Sequence, residues 1–378
     1  MSINPLVATY TKYLNTSAQL TGFLAGMFFF VSLLLKPVTG PAATKLDKRK
    51  LLMAAFLIGA VANIGYATFH SVAAFVAFRL LSGAQYSLVG TVLITLAGDH
   101  LPADKLAYGL GLYGIAGAIG NAVAPTIGEA ILHFGTVLRG ESFGFILMFL
   151  FGATVYLLII IPAAMLNPDK KTKSDTASAG AWYKTIFTIH ALPPTITMFL
   201  LMIPYGLLNT YIFEFGKEQG IEGISAFYPV LAATLAVSRP VSGFLTGKFG
   251  VKKTLFPALV IFAAAMLIIG SGRTLFVAVT GAVLAAAGFG ASQPALQAMS
   301  MQSETSLRRS VASNTIYVGI DLALFLGPYL GGLVYASSDY AVMFKIGAAP
   351  VFLAIICLAI ILPIHKRRVE ELKIYRIL

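Results

Sequence analysis

Residues Lys36 to Lys50 read Lys-Pro-Val-Thr-Gly-Pro-Ala-Ala-Thr-Lys-Leu-Asp-Lys-Arg-Lys, and residues Arg239 to Lys253 read Arg-Pro-Val-Ser-Gly-Phe-Leu-Thr-Gly-Lys-Phe-Gly-Val-Lys-Lys. Both run base, Pro, Val, hydroxyl, Gly, then a Lys after four further residues, then a basic cluster. Each follows one apolar run and precedes another. Pro37 and Pro240 set an offset of 203 residues. The same offset carries Ala124-Pro125 onto Gly327-Pro328, Gly128 onto Gly331 and Lys105 onto Arg308. One register held across about ninety residues marks an internal duplication: the chain is two copies of one unit.

Hydrophobic residues make up 58% of the 378 and charged residues 11%, about half the share of a soluble domain. So few charges cannot cover a soluble surface, which places the chain in the membrane class. The net charge of +12 would suit nucleic acid, but the bases cluster in short loops between apolar runs, as lipid-embedded chains require. Lipid, not nucleic acid, is the expected partner. A single cysteine, Cys357, excludes a disulfide framework and a multi-cysteine metal site. Nothing resembles a cleavable signal peptide; the apolar runs themselves would direct the chain to the membrane.

A spanning helix needs roughly 20 largely apolar residues. Such runs lie near 18–40, 51–69, 72–98, 106–133, 142–166, 191–214, 223–245, 254–271, 274–301, 309–335 and 342–364. Eleven is an odd number for a duplicated unit. The offset places the partner of 191–214 at the start of the chain, so Met1 to Tyr10 read as the last turns of a first helix. The expectation is a twelve-helix, all-α membrane protein with the first helix truncated and an apolar segment encoded upstream. The organisation is then an N-terminal bundle (1–166), a linker (167–190), a C-terminal bundle (191–364) and a basic tail (365–378). The linker opens polar, while Ala181-Trp-Tyr-Lys-Thr-Ile-Phe-Thr-Ile-His reads as a short amphipathic helix on the inner leaflet or as an unstructured tether. Loops on the side of the repeated basic motifs and the C-terminus carry 19 Lys and Arg, against 5 opposite. That asymmetry puts the basic loops and the C-terminus in the cytoplasm.

At these loops the chain resembles the major facilitator superfamily, over essentially its whole length. The family's loop signature appears as Gly40…Lys45…Lys48-Arg49-Lys50 and as Gly243…Lys248-Phe249-Gly250…Lys252-Lys253. The signature's Asp is replaced by Thr44 and Gly247, and Asp47 stands at the first copy's second Gly. Asp99, at the inner end of the next helix, therefore becomes a candidate anion for Lys45 or Arg49. Arg79-Leu-Leu-Ser-Gly83 matches the family's fourth-helix Arg. Gly111, Gly120, Ala124-Pro125 and Gly128-Glu129 follow the fifth-helix spacing of exporting exchangers, with Ala124 and Glu129 as departures. Gly327-Pro328 and Gly331-Gly332 repeat its end. Small residues at these intervals let helices approach backbone to backbone, and Pro bends them. The run from Ala191 to Gly243 looks most like bacterial drug and metallophore exporters. The resemblance implies two pseudo-symmetric six-helix bundles, here eleven full helices and a stub, in a bacterial plasma membrane, with no enzymatic activity.

An ionisable side chain inside the bilayer costs roughly 2.5–3.5 kcal/mol at a helix centre, so each needs a reason. Asp321 falls near the middle of the 309–335 helix. Burial there would make it titrate near neutral pH, as a proton-coupling carboxylate must; the alternative is a structural hydrogen-bond partner. The resemblance makes Arg79 a modulator of a coupling acid, with Glu129 at comparable depth as a possible partner. Glu129 equally reads as an interfacial carboxylate, and His133 as interfacial. Lys36 and Arg239 read as snorkelling or capping bases rather than substrate ligands. Uncharged polar groups mark the expected cavity: Gln85, Tyr86, Tyr113 and Asn121 in the first half, and Tyr205, Asn209, Gln293, Gln297, Asn314 and Tyr317 in the second. Interhelical bonding explains any one of them as well as ligand contact does. Few fixed charges in such a cavity would suit small amphipathic cargo.

No Gly-rich loop ending in Gly-Lys-Ser/Thr is present, which argues against ATP drive. No His pairing indicates a metal, and no cofactor is called for. The expected function is a monomeric, proton-coupled exporter working by rocking of its halves. The rivals are an importing symporter or uniporter for a sugar or small metabolite, and a non-transporting remnant lacking its first helix.

Overall fold

The computed structural model describes residues 6–100, 106–166, 187–304 and 309–374. The first half contains α1 (Val7–Tyr13), α2 (Ala18–Lys45), α3 (Lys48–Thr68), α4 (Val72–His100), α5 (Leu106–Arg139) and α6 (Glu141–Ala164). The second contains α7 (Leu192–Glu218), α8 (Phe227–Ser271), α9 (Leu275–Gln302), α10 (Arg309–Ser337), α11 (Tyr340–Ile346) and α12 (Ala348–Ile374). All regular structure among the described residues is helical. Ten segments there are long and apolar enough to cross a membrane, and α5 adds a helix of 34 residues. The chain divides into two compact units, one of Met1–Ser17 and Leu24–Gly180, the other of Ala18–Phe23 and Ala181–Leu378. The expected interfacial helix at 181–190 falls largely outside the described residues; only a 3-10 turn, Ile189–Ala191, belongs to them.

Helix starts obey the register read from the sequence. Val72 opens α4 and Leu275 opens α9; Leu106 opens α5 and Arg309 opens α10. Each pair is separated by 203 residues. Thr68 and Ser271, which close α3 and α8, stand in the same relation. The repeated loop itself proves very short. In the first copy Asp47 is the N-cap of α3, its carboxylate accepting from the Arg49 and Lys50 amides at 2.9 and 3.4 Å. This satisfies two of the donors that a helix start leaves open. In the second copy the corresponding residue is Gly250. It breaks α8 with φ 82 and ψ 161, a conformation open to glycine and strained for other residues. The two runs expected at 223–245 and 254–271 are two helices that meet at this break, with apolar spans over Ile224–Thr246 and Lys248–Ser271.

The repeated hydroxyl explains its own recurrence. Thr39 is buried and its Oγ1 lies 3.1 Å from Ser87 Oγ, tying α2 to α4. Ser242 is buried and donates to the Ala291 carbonyl at 2.8 Å, tying α8 to α9. Within hydrocarbon such bonds hold helices together because no water competes for them.

The small-residue motif makes close helix contact in its second copy. A Cβ on Gly327 would lie 2.6 Å from the Ile203 carbonyl oxygen, and one on Gly331 would lie 2.4 Å from Leu207 Cδ2. Packing of α10 on α7 thus depends on missing side chains. In the first copy Pro125 and Gly128 are buried, whereas a Cβ on Gly120 meets nothing within 4 Å among the described residues. Gly111 lies outside the described side chains. Gly327→Ala should destabilise the protein by about 1–3 kcal/mol through overpacking, seen as a lowered thermal midpoint. Gly243→Ala, with nothing within 4 Å of the added atom, should leave the midpoint in place. Equal melting of the two variants would show that the α7–α10 contact is not backbone-limited.

Candidate transport site

In the second unit, α7, α8 and α9 bring polar groups together within their apolar spans. Tyr205 and Asn209 are one turn apart on α7, with Asn209 Nδ2 donating to the Tyr205 carbonyl at 2.9 Å. The Tyr205 ring lies flat on Phe289 of α9, with centroids 4.0 Å apart and planes 6° from parallel. Phe289, Gln293 and Gln297 recur every four residues and so share a face of α9. Gln293 Oε1 accepts from Arg239 Nη2 at 3.1 Å. Arg239, read from the sequence as a snorkelling or capping base, thus reaches α9. Serines on α8 fix this approach: Ser238 donates to the Ala286 carbonyl at 3.0 Å and Ser242 to that of Ala291 at 2.8 Å. Pro294 interrupts the amide ladder of α9 beside Gln293.

On α10, Asn314, Tyr317 and Asp321 follow at three- and four-residue intervals and line one face. Asn314 and Tyr317 are exposed on this unit, whereas Asp321 is 3% exposed. The carboxylate therefore terminates a polar stripe that begins accessible and ends sealed.

The first unit treats its residues differently. Arg79 is 2% exposed, and its Nε and Nη2 donate to the Leu24 and Ala25 carbonyls, each at 3.1 Å. The guanidinium lies 5.3 Å from the Phe28 ring centre and 5.7 Å from that of Phe75, within cation–π range. These contacts clamp α4 to α2. Glu129 is half-buried on α5 and His133 is exposed on the same helix. Gln85 is buried and accepts from Tyr156 of α6 at 3.3 Å. Tyr86 packs against Phe28 and Phe29. Tyr113 and Asn121 lie outside the described side chains.

Among the loop residues, Gly40, Lys45 and Asp99 are likewise outside the described side chains, so the Asp99 pairing has no described geometry. Arg49 donates its backbone amide to Asp47, and Lys248 lies over the rings of Phe244 and Phe249. A cavity of about 610 Å³ at the basic end of the second unit, lined by Lys252, Phe256 and Lys366 among others, involves none of the residues singled out for transport.

Two buried carboxylates escaped the sequence reading. Glu214, in the last turns of α7, is 1% exposed and lies 3.4 Å from Lys217. Glu304, just beyond α9, is 4% exposed; it accepts from the Thr188 hydroxyl and lies 3.0 Å from His190 Nδ1. Arg368 Nη2 approaches the same His190 nitrogen at 3.3 Å, and its Nε donates to the Ser303 carbonyl at 3.4 Å. His190 therefore either donates to Glu304 or accepts from Arg368, according to its protonation. A charged residue at the edge of an apolar run was the available signal, but edges usually mean solvent.

Two helix bundles, each carrying one copy of the basic loop, agree with sequence comparison. A family model described as Major Facilitator Superfamily matches residues 1–248 and 230–374. The chain belongs to that family. Members of the superfamily are membrane transporters rather than enzymes, and this chain is accordingly a multi-pass transporter. The multi-drug resistance efflux pump PmrA of Streptococcus pneumoniae is 23% identical over 387 residues, covering 93% of this chain and 87% of its own. The staphylopine export protein of Staphylococcus aureus is 20% identical over 231 residues, covering 60% and 57%. Among solved structures, the nucleoside transporter NupG superimposes with a TM-score of 0.77 at 12% identity, covering 95% of each chain; that likeness speaks to fold alone.

The Arg79 clamp gives a test within this superfamily member. Arg79→Lys keeps the charge but cannot span two carbonyls as a planar fork does. Hydrogen bonds from charged donors contribute about 1.5–3 kcal/mol each, so the variant should melt lower and express less. A melting curve unchanged from the parent would show that the fork is dispensable.

Proposed function

We propose that this transporter is a proton-driven exporter of small amphipathic compounds, exchanging cargo for protons as its two halves rock. One observation carries the proposal. Of the three carboxylates described as 4% exposed or less, Asp321 alone stands in mid-helix, and it ends the Asn314–Tyr317 stripe. Glu214 and Glu304 lie at helix ends beside Lys217 and His190. A buried acid reached along polar side chains is suited to taking up and releasing a proton in step with cargo. Efflux pumps among the relatives support the outward direction. The asymmetry of Lys and Arg supports a bacterial plasma-membrane location with the basic loops and C-terminus inside. Arg79 serves here as the scaffold of the first unit, and Glu129 as an interfacial carboxylate.

Inside-out vesicles carrying the protein, with an acidic interior, should accumulate a member of a panel of acidic, neutral and basic amphipathic dyes, and collapse of the gradient should release it. Accumulation only under the opposite gradient would establish symport instead. Asp321→Asn should abolish gradient-driven accumulation while leaving folded yield and melting unchanged. An unaltered pH dependence in that variant would remove Asp321 from the coupling step.

A further inference from the structure

The cavity of about 610 Å³ at the basic end of the second unit lies between the second helix of α8, the end of α9 at Gln302, and α12. On α12, Phe352, Ile356, Ala359, Pro363 and Lys366 follow at intervals of four, three, four and three residues, so one face runs from apolar to basic. All five are exposed. The last three line the cavity, and Phe352 and Ile356, 49% and 57% exposed, carry the apolar strip onward from it. On α8, Lys252, Phe256 and Val260 repeat that order at four-residue steps. The first two line the cavity and Val260 is 52% exposed. The chain leaves the basic end along this part of α8 and returns to it along α12, so the two gradients point the same way.

Neither Lys252 nor Lys366 forms a hydrogen bond or ion pair with a described residue. Lys252 stands in the first turn beyond the break at Gly250, where the helix dipole disfavours a cation, so local helix stability does not account for it. Glu370 also lines the cavity, and two lysines against one carboxylate leave a single positive charge. Gln302 and His365 add hydrogen-bonding groups to the same wall. A phosphodiester carries one negative charge, and in a phospholipid it is joined to acyl chains that need an apolar path. Basic pockets between membrane helices at the interface suit such headgroups. A soluble anion would make no use of Ile356 and Val260, and a zwitterionic lipid would bring its own cation to the lysines.

We propose that this cavity is a binding site for one anionic phospholipid, its phosphate held by Lys252 and Lys366 and an acyl chain laid along Phe256 and the Ile356–Ala359 face. The site stands apart from the residues assigned to cargo and protons, and its occupancy depends on neither the direction nor the coupling of transport.

The full chain, purified in detergent and titrated with phosphatidylglycerol or phosphatidylcholine of identical acyl chains, reveals bound lipid by native mass spectrometry. Phosphatidylglycerol should fill one saturable site at least fivefold more tightly than phosphatidylcholine. Lys252→Gln combined with Lys366→Gln should cut that affinity to the level of phosphatidylcholine. Lys48→Gln combined with Lys50→Gln, the same loss of charge in the other basic loop, should leave it as in the parent. Ala359→Trp, which fills the apolar wall and keeps the charges, should weaken phosphatidylglycerol at least fivefold. Equal affinity of the parent for the two lipids would overturn the proposal, and that comparison needs no variant. An equal loss from the two lysine pairs, or unchanged binding by Ala359→Trp, in variants that melt normally, would overturn it as well. So would displacement of phosphatidylglycerol by equimolar inorganic phosphate, which would mark a phosphate-ion site with no use for acyl chains.

Discussion

Hydrocarbon offers no hydrogen bonds, so a polar side chain within it must find its partner on the protein. That constraint organises both units. Thr39 meets Ser87, Ser242 meets the Ala291 carbonyl, and the Tyr211 hydroxyl donates to the Pro328 carbonyl at 2.8 Å. Each bond joins two helices that apolar contact alone would leave free to slide, since lipid tails pack as well as leucine does. Glycine at the α7–α10 contact serves the same end by letting backbones meet. Polar contacts set which helices pair, and missing side chains set how closely.

Within that frame the fold was legible because duplication writes each helix boundary twice. The offset found at Pro37 and Pro240 reappears in the starts of α4 and α9 and of α5 and α10. Even the departure at Asp47 proved informative, since the residue in that register, Gly250, marks the break in α8. The site was legible only as polar residues inside apolar runs: Asn314, Tyr317 and Asp321 in one run and Gln293 and Gln297 in another. The sequence could not name which of them share a face or what each would touch, because partners across helices are decided by packing. Arg239 shows the loss most plainly: its place beside a proline near a helix end reads as snorkelling, and only the serine contacts reveal that it turns to α9. Glu214 and Glu304 were missed for a related reason. A charge at the edge of an apolar run carries no mark to say whether it faces water or neighbouring side chains.

Charge in this protein is consequently spent in two ways. Arg79 and Glu304 are buried against protein hydrogen-bond partners, which makes them rigid and local in effect. Asp321 ends a polar stripe whose other members are accessible, and Arg239 is half-buried with Nη2 on Gln293. The difference lies in exposure, not in residue type.

The elbow between paired helices was built by different chemistry in each unit. Asp47 holds one bend through a carboxylate, which answers to nearby bases and to ionic conditions. Gly250 holds the other through backbone torsion, which is indifferent to both. Although their register is intact, the duplicated halves have ceased to be interchangeable parts, and natural selection can retune the electrostatics of one corner while the mechanics of its twin stay untouched.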